Sequence, residues 1–512
     1  MGQERLRRVT ESDKEQLFVW TNDPVTRMQS FSQEPVSWEN HCAWFEKKLH
    51  DPDCYHYILE ADGEAAGVIR LDRHEMQEPE TTTKASGRKG IYRISYSVAP
   101  QLRGRGYGKK LLQLAEYHAA VEIADCGWLF GEVKKENIAS AGCFEALGYR
   151  RCEENEAEYG FIKSVDFSRC IYFRADAGKT IGNGHVMRCL TIADACLKQG
   201  MYPVFLTADT EPFGMIEARG YLVYAFGTDY RDMEAELPAY ERLVPAGATV
   251  VLDSYFLKGG YVSALNKRGY RLVWLDDLGE QKLPVKLLIN YNLYADELGY
   301  LKRNTTDKSE TQYLLGAAYA PVRPVFTKKK YEVRTTLERI LITTGASDPY
   351  SAGYRFAKAL CEAAAAREIC VICGNYNQDI ERLKKLSEQT EMSGGAKVRI
   401  LQGLTDLSDV MYDSDLAVAA AGSTLYELCA VGVPALVYDF ADNQKQGAQA
   451  FARKAESVYL GDLRVDADKA EEKLCAAVRQ FADMEKRQVL SRRMQGISDG
   501  KGAKRIAEIL GQ

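Results

Sequence analysis

The sequence is most informative at first for what it lacks. No apolar stretch approaches the roughly 18 residues of a membrane span, so no membrane insertion is expected. The N-terminus, Met1-Gly-Gln-Glu-Arg-Leu6, is charged and has no apolar core of a signal peptide, and Leu6 stands where a myristoylation signal needs Ser or Thr. There is no large excess of one charge: the net is −5, so nothing suggests a nucleic-acid-binding surface. The basic run Lys328-Lys329-Lys330 reads as a solvated piece of linker. Disulfide spacing is missing too. The 13 cysteines are odd in number and scattered, so free thiols in a reducing, cytoplasmic setting are expected. The one CxxC, Cys370 to Cys373, lies in an apolar run with no second pair and no histidine nearby, which fits a core strand better than a metal or redox site. No metal-ligand cluster is apparent and no metal is predicted. No short-period repeat exists. Oligomeric state is not legible.

Histidine is scarce: there are six, and His185 is the only one after His118. It lies in Arg174-Ala-Asp-Ala-Gly-Lys-Thr-Ile-Gly-Asn-Gly-His-Val-Met-Arg188, a glycine-rich turn between a predicted strand and helix. Imidazole is the side chain best suited to proton transfer near neutral pH, which makes His185 the first candidate for chemistry. A histidine bonded to turn backbone is the bland alternative.

With 512 residues, the chain is long enough for about three domains. The first 165 residues read as α+β. A strand at 5–10 precedes helices near 11–21 and 38–50. A hairpin follows, Tyr55–Glu60 and Ala65–Leu71 about an Asp62-Gly63 turn. A polar, exposed loop is expected from Glu75 to Lys89, then a strand at Ile91–Val98. Beyond it, Arg103-Gly104-Arg105-Gly106-Tyr107-Gly108 opens an amphipathic helix. Glycines there let backbone N–H groups approach a ligand, and the helix N-terminus suits a pyrophosphate. Another strand, Trp128–Val133, leads to Asn137-Ile-Ala-Ser140-Ala-Gly-Cys-Phe144-Glu-Ala-Leu-Gly148-Tyr149. Three of five tryptophans fall early; Trp20, Trp38 and Trp44, with Asn22, Asp23 and Arg27, either line a sugar pocket or simply pack two helices and cap a turn.

This pair of segments resembles the GCN5-related N-acetyltransferases (GNAT). Arg103-x-x-Gly106-x-Gly108, and in an overlapping register Gln101-x-x-Gly104-x-Gly106, match their acetyl-CoA signature; Asn137 to Tyr149 matches the second. The resemblance implies a GNAT domain over 1–165, with acetyl-CoA as cosubstrate held by Val98, the turn Arg103–Gly108 and Asn137. It departs at Phe144, where many members carry a tyrosine that protonates the leaving thiolate. Phe has no proton to give, so water or another tyrosine must serve.

A break near residue 166 separates this segment from an alternation of strands and helices, the pattern of a parallel sheet covered by helices. The alternation is interrupted at Pro321–Lys330 and then restarts, so two α/β lobes are expected, 168–330 and 331–512. Ligands of open α/β sheets sit beyond the carboxyl ends of strands; Asp176, His185, Asp253, Asp276, Gly345, Asn375 and Gly422 fall at such ends. In the second lobe, Gly422-Ser423-Thr424 closes a strand of small residues and opens a helix with Glu427 one turn in. That suits a nucleotide diphosphate on the helix end and a carboxylate on ribose, although a capping box explains Ser423, Thr424 and Glu427 nearly as well. Asn443 and Gln444 end the next strand.

The Gly422–Glu427 run is similar to the UDP-sugar-binding lobe of GT-B glycosyltransferases, the MurG-like group above all. Arg174-Ala-Asp with Ile-Gly-x-Gly184-His185-x-x-Arg188, then Asp253-Ser-Tyr255, Asp276-Asp277, Leu315-Gly316, Arg323-Pro324, Gly345-Ala-Ser-Asp348 and Gly374-x-x-Asn377, resemble the UDP-2,4-diacetamido-2,4,6-trideoxy-β-L-altropyranose hydrolases of pseudaminic acid synthesis. The resemblance implies a two-lobed pair of Rossmann-type domains after the GNAT domain. It implies His185 as general base on water, and a UDP-sugar held by Arg174, Asp176, Gly184, Asp253, Gly422, Ser423, Thr424, Glu427, Asn443 and Gln444. A fused acetyltransferase implies acetylation of a UDP-4-amino-sugar before hydrolysis. A GT-B glycosyltransferase, or another nonulosonic acid pathway hydrolase, joined to an acetyltransferase of other amine specificity, and a non-catalytic nucleotide-sugar sensor, are the alternatives.

Overall fold

The computed structural model describes residues 4–76, 88–300, 311–345, 348–374, 377–404 and 406–512, leaving out the side chain of Asn443. The chain divides into two compact units, residues 1–182 with 200–248, and 183–199 with 249–512.

The first unit opens with a seven-stranded sheet in the order β1-β2-β3-β4-β5-β7-β6. Its strands are β1 (Glu4–Arg8), β2 (Cys54–Ala61), β3 (Glu64–His74), β4 (Gly90–Val98), β5 (Cys126–Lys134), β6 (Arg150–Glu154) and β7 (Glu158–Ser164). The expected hairpin is β2–β3. Asp62 and Gly63 both take positive φ, 53° and 83°, the two-residue turn whose twist matches paired strands. Helices α1 (Lys14–Thr21) and α3 (Trp38–Leu49) stand where periodicity placed them, and the glycine turn opens α4 (Tyr107–Glu122). Helix α2 (Pro24–Gln29) was not expected: it is only six residues long, set by Asp23, which accepts the Thr26 amide at 3.0 Å, and by Pro24 in its first turn. Helix α5 (Ile138–Ala146) is capped by Asn137, which accepts the Ser140 amide at 3.1 Å. Of the expected polar loop at 75–89, residues 77–87 lie outside the described residues.

β4 and β5 are the parallel pair of this sheet, and their ladder stops at Arg93 and Phe130, although β4 runs on to Val98 and β5 to Lys134. The outer edges stay paired, β4 to β3 as far as Val98 and β5 to β7 as far as Lys134. The strands therefore splay, and each turns one edge of backbone N–H and C=O groups to the opening.

The same unit holds parallel strands β8 (Cys170–Ala175), β9 (Tyr202–Thr207) and β10 (Leu222–Ala225). The junction after residue 165 is tight. The hydroxyl of Tyr117, from α4, donates to the Pro203 carbonyl at 2.6 Å and accepts the Leu222 amide at 2.8 Å.

The second unit contains α6 (Gly184–Lys198) and the parallel strands β11 (Thr249–Asp253), β12 (Arg271–Leu275), β13 (Leu287–Asn290) and β14 (Gln312–Leu315). A six-stranded parallel sheet follows: β15 (Arg339–Thr343), β16 (Glu368–Cys373), β17 (Lys397–Gln402), β18 (Leu416–Ala420), β19 (Ala435–Asp439) and β20 (Tyr459–Asp462), in the order β17-β16-β15-β18-β19-β20. Counted from β15 this is 3-2-1-4-5-6, the doubly wound order whose ligand crevice opens where the winding reverses, between β15 and β18. Gly345 follows β15 and Gly422 follows β18, so topology alone sets both at the crevice. Cys370 and Cys373 are buried in β16, and all 13 cysteines are free thiols. β14 and β20, four residues each, were not expected from the sequence.

Candidate functional sites

The splay of β4 and β5 opens into a cavity of about 800 Å³ in the first unit. Val98, Arg103, Gly104, Gly106, Tyr107, Gly108 and Asn137, all expected at a cofactor site, line it. Arg105 is not among the lining residues. Gly104 and Gly106 hold φ of 77° and 88°, and a Cβ on either would meet nothing within 4 Å, so backbone conformation rather than crowding asks for glycine there. Arg103 is tied down: its Nη2 donates to Asp23 at 2.5 Å and to Thr26 at 2.9 Å, fastening α2 to the glycine turn.

The tryptophan question resolves toward packing. Trp20 is buried with Phe45, Leu17 and Ile58, Trp38 sets its ring edge-on to Phe18, and Trp44 lies under the Arg70 guanidinium. None of the three lines the cavity; Val25, Thr26, Gln29, Ser30 and Phe31 do. Asp23 caps and ties, as the bland reading held. Residues 25–31 give no periodic signal, and the Asp23-Pro24 pair was the one clue. Phe144 is 1% exposed, stacked on Phe161 at 5.2 Å, and so close to β5 that a Cβ at Gly131 would lie 2.5 Å from it.

In the second unit the geometry centres on His185. Asn183 and Gly184 start α6, so His185 sits in its first turn. Its Nδ1 donates to Asp253 Oδ1 at 2.6 Å, from the carboxyl end of β11. Arg188, one turn along α6, donates to the same carboxylate through Nε at 2.6 Å and Nη2 at 2.5 Å. Its Nη1 reaches both oxygens of Asp277 at 2.8 Å and the Tyr291 hydroxyl at 2.9 Å. Tyr255 donates to Asp277 at 3.0 Å and sets its ring edge-on to the imidazole, 4.6 Å between centroids. Burial would raise the Asp253 carboxyl, but the Arg188 charge and the hydrogen bonds from Arg188 and His185 outweigh it and hold the group well below the usual range. With Nδ1 committed as a donor, Nε2 carries the lone pair of the neutral ring. The bland reading of His185, a bond to turn backbone, is not what the structure shows.

A cavity of about 190 Å³ in this unit is lined by Arg188, Tyr255, Asp277 and Tyr291 on one side, and by Gly422, Ser423, Tyr426 and Gln444 on the other. His185 itself is 5% exposed and is not in the wall; its neighbours Arg188 and Tyr255 are. Ser423 is the N-cap of the helix Thr424–Val431, but its backbone is already helical (φ −59°, ψ −32°) and its hydroxyl makes no cap bond. The expected capping box is therefore absent. In that first turn the Leu425 and Tyr426 amides donate to the Gly422 and Ser423 carbonyls at 3.1 and 3.0 Å, and the helix end keeps its partial positive charge. Glu427 stands 3.5 Å from Arg323; burial pushes its carboxyl up to about 7, with Arg323 only partly offsetting. Gln444 accepts the Phe440 amide at 3.3 Å. The Asn443 side chain, and Ala346, Ser347 and Asn375, lie outside the described residues.

Arg174 and Asp176, expected at the sugar, are placed otherwise. Arg174 is 0% exposed, its guanidinium spent on Glu236 and on Asp176, whose other oxygen takes the Ala208 amide at 2.8 Å. A side chain with no exposed surface touches no sugar; this triad braces the loop after β8. The network about Arg188 is what sequence reading missed. Asp277 was noted at a strand end, but nothing local joins it to an arginine 89 positions away. Among the described residues, no group of three His, Cys, Asp or Glu side chains is placed to hold a metal, and no helix is long and apolar enough to cross a membrane.

Residues 5–150 match the acetyltransferase (GNAT) domain model, and residues 340–509 match the glycosyltransferase family 28 C-terminal domain model. The chain is 22% identical over 296 residues to the uncharacterized protein MJ1062 of Methanocaldococcus jannaschii, covering 56% of this chain and 59% of that one. It is 21% identical over 346 residues to the spore coat polysaccharide biosynthesis protein SpsG of Bacillus subtilis, covering 66% and 96%. It is 25% identical over 299 residues to the pseudaminic acid cytidylyltransferase and UDP-2,4-diacetamido-2,4,6-trideoxy-beta-L-altropyranose hydrolase of Helicobacter pylori, covering 58% and 48%. The chain thus spans only 59% and 48% of the first and third of these relatives. Among solved structures, Acinetobacter baumannii MurG overlays 67% of this chain and 99% of its own at 14% identity, with a TM-score of 0.48.

Proposed function

We propose that this chain, with an N-terminal GNAT acetyltransferase domain and a C-terminal glycosyltransferase family 28 domain, carries out two successive steps on one nucleotide sugar. The first is acetyl-CoA-dependent N-acetylation of a UDP-4-amino-sugar by residues 1–165. The second is hydrolysis of UDP-2,4-diacetamido-2,4,6-trideoxy-β-L-altropyranose to free sugar and UDP by 168–330 and 331–512. The observation that carries the hydrolase half is the His185–Asp253 pair, one turn from Arg188, which lines the same cavity as the Gly422–Ser423 turn.

In this reading His185 Nε2 takes a proton from water as the water oxygen bonds to the anomeric carbon. The bond from that carbon to the diphosphate oxygen breaks, and its electron pair leaves with UDP. Asp253 holds the ring in the tautomer that frees Nε2 and stabilises the imidazolium that forms. The Gly422–Thr424 turn, with the partial positive charge of its helix end, receives the growing charge on the diphosphate, and Glu427 accepts from ribose hydroxyls. No step needs a metal. In the acetyltransferase half, the free edges of β4 and β5 bind the amide-bearing arm of acetyl-CoA as an added strand would pair, and the Arg103–Gly108 turn takes its pyrophosphate. The match to a glycosyltransferase domain supports a second reading, sugar transfer to an acceptor alcohol. UDP release from the diacetamido UDP-sugar in water alone separates the two. Release that stops without an added alcohol contradicts the hydrolase, and so does full turnover by His185→Ala.

A further inference from the structure

The acetyltransferase site needs a proton for its leaving group. When the amine nitrogen bonds to the acetyl carbon and the carbon–sulfur bond breaks, the electron pair stays on sulfur, and the thiolate must be protonated. Phe144 has no proton, and it is buried against Gly131 and Phe161.

Of the side chains lining the cavity, two are phenols, Tyr96 and Tyr107. Tyr107 belongs to the first turn of α4, the anion-binding end. Tyr96 lies on the splayed part of β4, past the last ladder partner Arg93, where an inserted ligand runs. Its hydroxyl is 2.9 Å from Ser140 Oγ, in the first turn of α5, and its ring is 6.1 Å from that of Phe144 on the next turn of that helix. Cys143 and Tyr96 approach the same point over Gly108: a Cβ there would lie 3.4 Å from Cys143 Sγ and 3.5 Å from the Tyr96 ring, in ordinary contact with both. Burial pushes the Tyr96 phenol well above its ordinary range, with Ser140 partly offsetting, so it stays a proton carrier at neutral pH.

Resting on the acetyltransferase reading, we propose that Tyr96 is the general acid of acetyl transfer, with Ser140 as its proton relay. Ser140 donates to the phenol oxygen, leaving the phenol O–H for sulfur. As the carbon–sulfur bond breaks, the proton passes from Tyr96 to the thiolate, giving the free thiol of CoA. The phenolate regains a proton from Ser140, and Ser140 regains one through solvent from the nitrogen that has become an amide. The sum is amine plus acetyl-CoA to amide plus CoA.

The experiment measures release of CoA thiol from acetyl-CoA and a UDP-4-amino-sugar by the full chain. Tyr96→Phe should lower kcat by about 10²-fold, while KM for acetyl-CoA and calorimetric binding of CoA stay within about threefold. Replacing Tyr96 with a ring-fluorinated tyrosine, which keeps the shape and the transferable proton, should hold kcat within about tenfold of wild type, a rescue that Phe does not give. A Tyr96→Phe variant that keeps kcat within twofold overturns the proposal, as does a fluorotyrosine variant as slow as Tyr96→Phe. A wild-type chain that binds acetyl-CoA but acetylates no such amine refutes the acetyltransferase reading itself.

Discussion

Replacing Asp253 with Asn tests the hydrolase chemistry without changing its shape. Asp253 is 1% exposed and accepts three short bonds, one from His185 and two from Arg188. With a neutral imidazole, the cluster of Arg188, Asp253 and Asp277 carries one positive and two negative charges, a net of −1. Taking a proton onto His185 brings it to zero. In Asp253→Asn the same step runs from zero to +1. A unit charge about 4 Å from the imidazole contributes about 4 kcal/mol at an effective dielectric of about 20, and its loss slows a step that builds imidazolium by roughly a thousandfold. The amide adds a second fault. Both oxygens of residue 253 face Arg188 donors, Oδ2 toward Nε and Oδ1 toward Nη2, and Oδ1 faces the Nδ1 donor as well, so the amide NH2 must oppose an Arg188 donor in either orientation; turned toward the ring, it draws the hydrogen onto Nε2 and removes the base. Stability should fall far less than the 3–5 kcal/mol of an orphaned buried charge, because Asp277 still holds Arg188 with two bonds of 2.8 Å. Steady-state UDP release with thermal unfolding reads both: a kcat loss of 10²–10⁴, with a Tm drop of a few degrees, is expected. A variant within fivefold of wild type refutes the role given to the pair.

The other expectations follow from the cavity walls. A Cβ at Gly422 meets nothing within 4 Å and its φ is not positive, so Gly422→Ala should fold with an unchanged Tm; calorimetry should show UDP bound at least tenfold more weakly, because the methyl stands where the diphosphate approaches. Glu427 titrates near 7 because burial raises it, so the carboxylate is present above that pH and lost below it. UDP affinity should accordingly fall as pH drops from 8 to 6, and Glu427→Gln should flatten that dependence. In the acetyltransferase domain, Gly131→Ala would press a methyl into Phe144, and overpacking of this kind costs about 1–3 kcal/mol; a denaturant midpoint equal to wild type contradicts the packing described.

Much of the fold could be read in advance because long periodic segments and turn chemistry are local signals. The Asp62-Gly63 hairpin, the glycine turn before α4 and the small-residue end of β18 all lie where residue type and spacing put them. Helix α2 escaped because six residues carry less than two turns of pattern. The crevice residues Gly345 and Gly422 were visible as strand ends, since winding order follows from alternation. What remained hidden is long-range. Arg188 reads as one more helix residue until Asp253, Asp277 and Tyr291, 65 to 103 positions away, converge on it. Arg174 misled for the opposite reason: a charge in a conspicuous motif was read as a ligand contact, whereas Glu236, 62 positions on, buries it. Tyr96 shows no motif at all, and only the splay of β4 from β5 reveals where it stands.

The most direct test is one mixture: the full chain with acetyl-CoA and a UDP-4-amino-sugar in water enriched in oxygen-18, followed by mass spectrometry. The predicted result is a free sugar carrying one added acetyl group, with the heavy oxygen on its anomeric carbon and none in the UDP released. A sugar that stays attached to UDP, gains no acetyl group, or leaves the heavy oxygen on phosphate would contradict it.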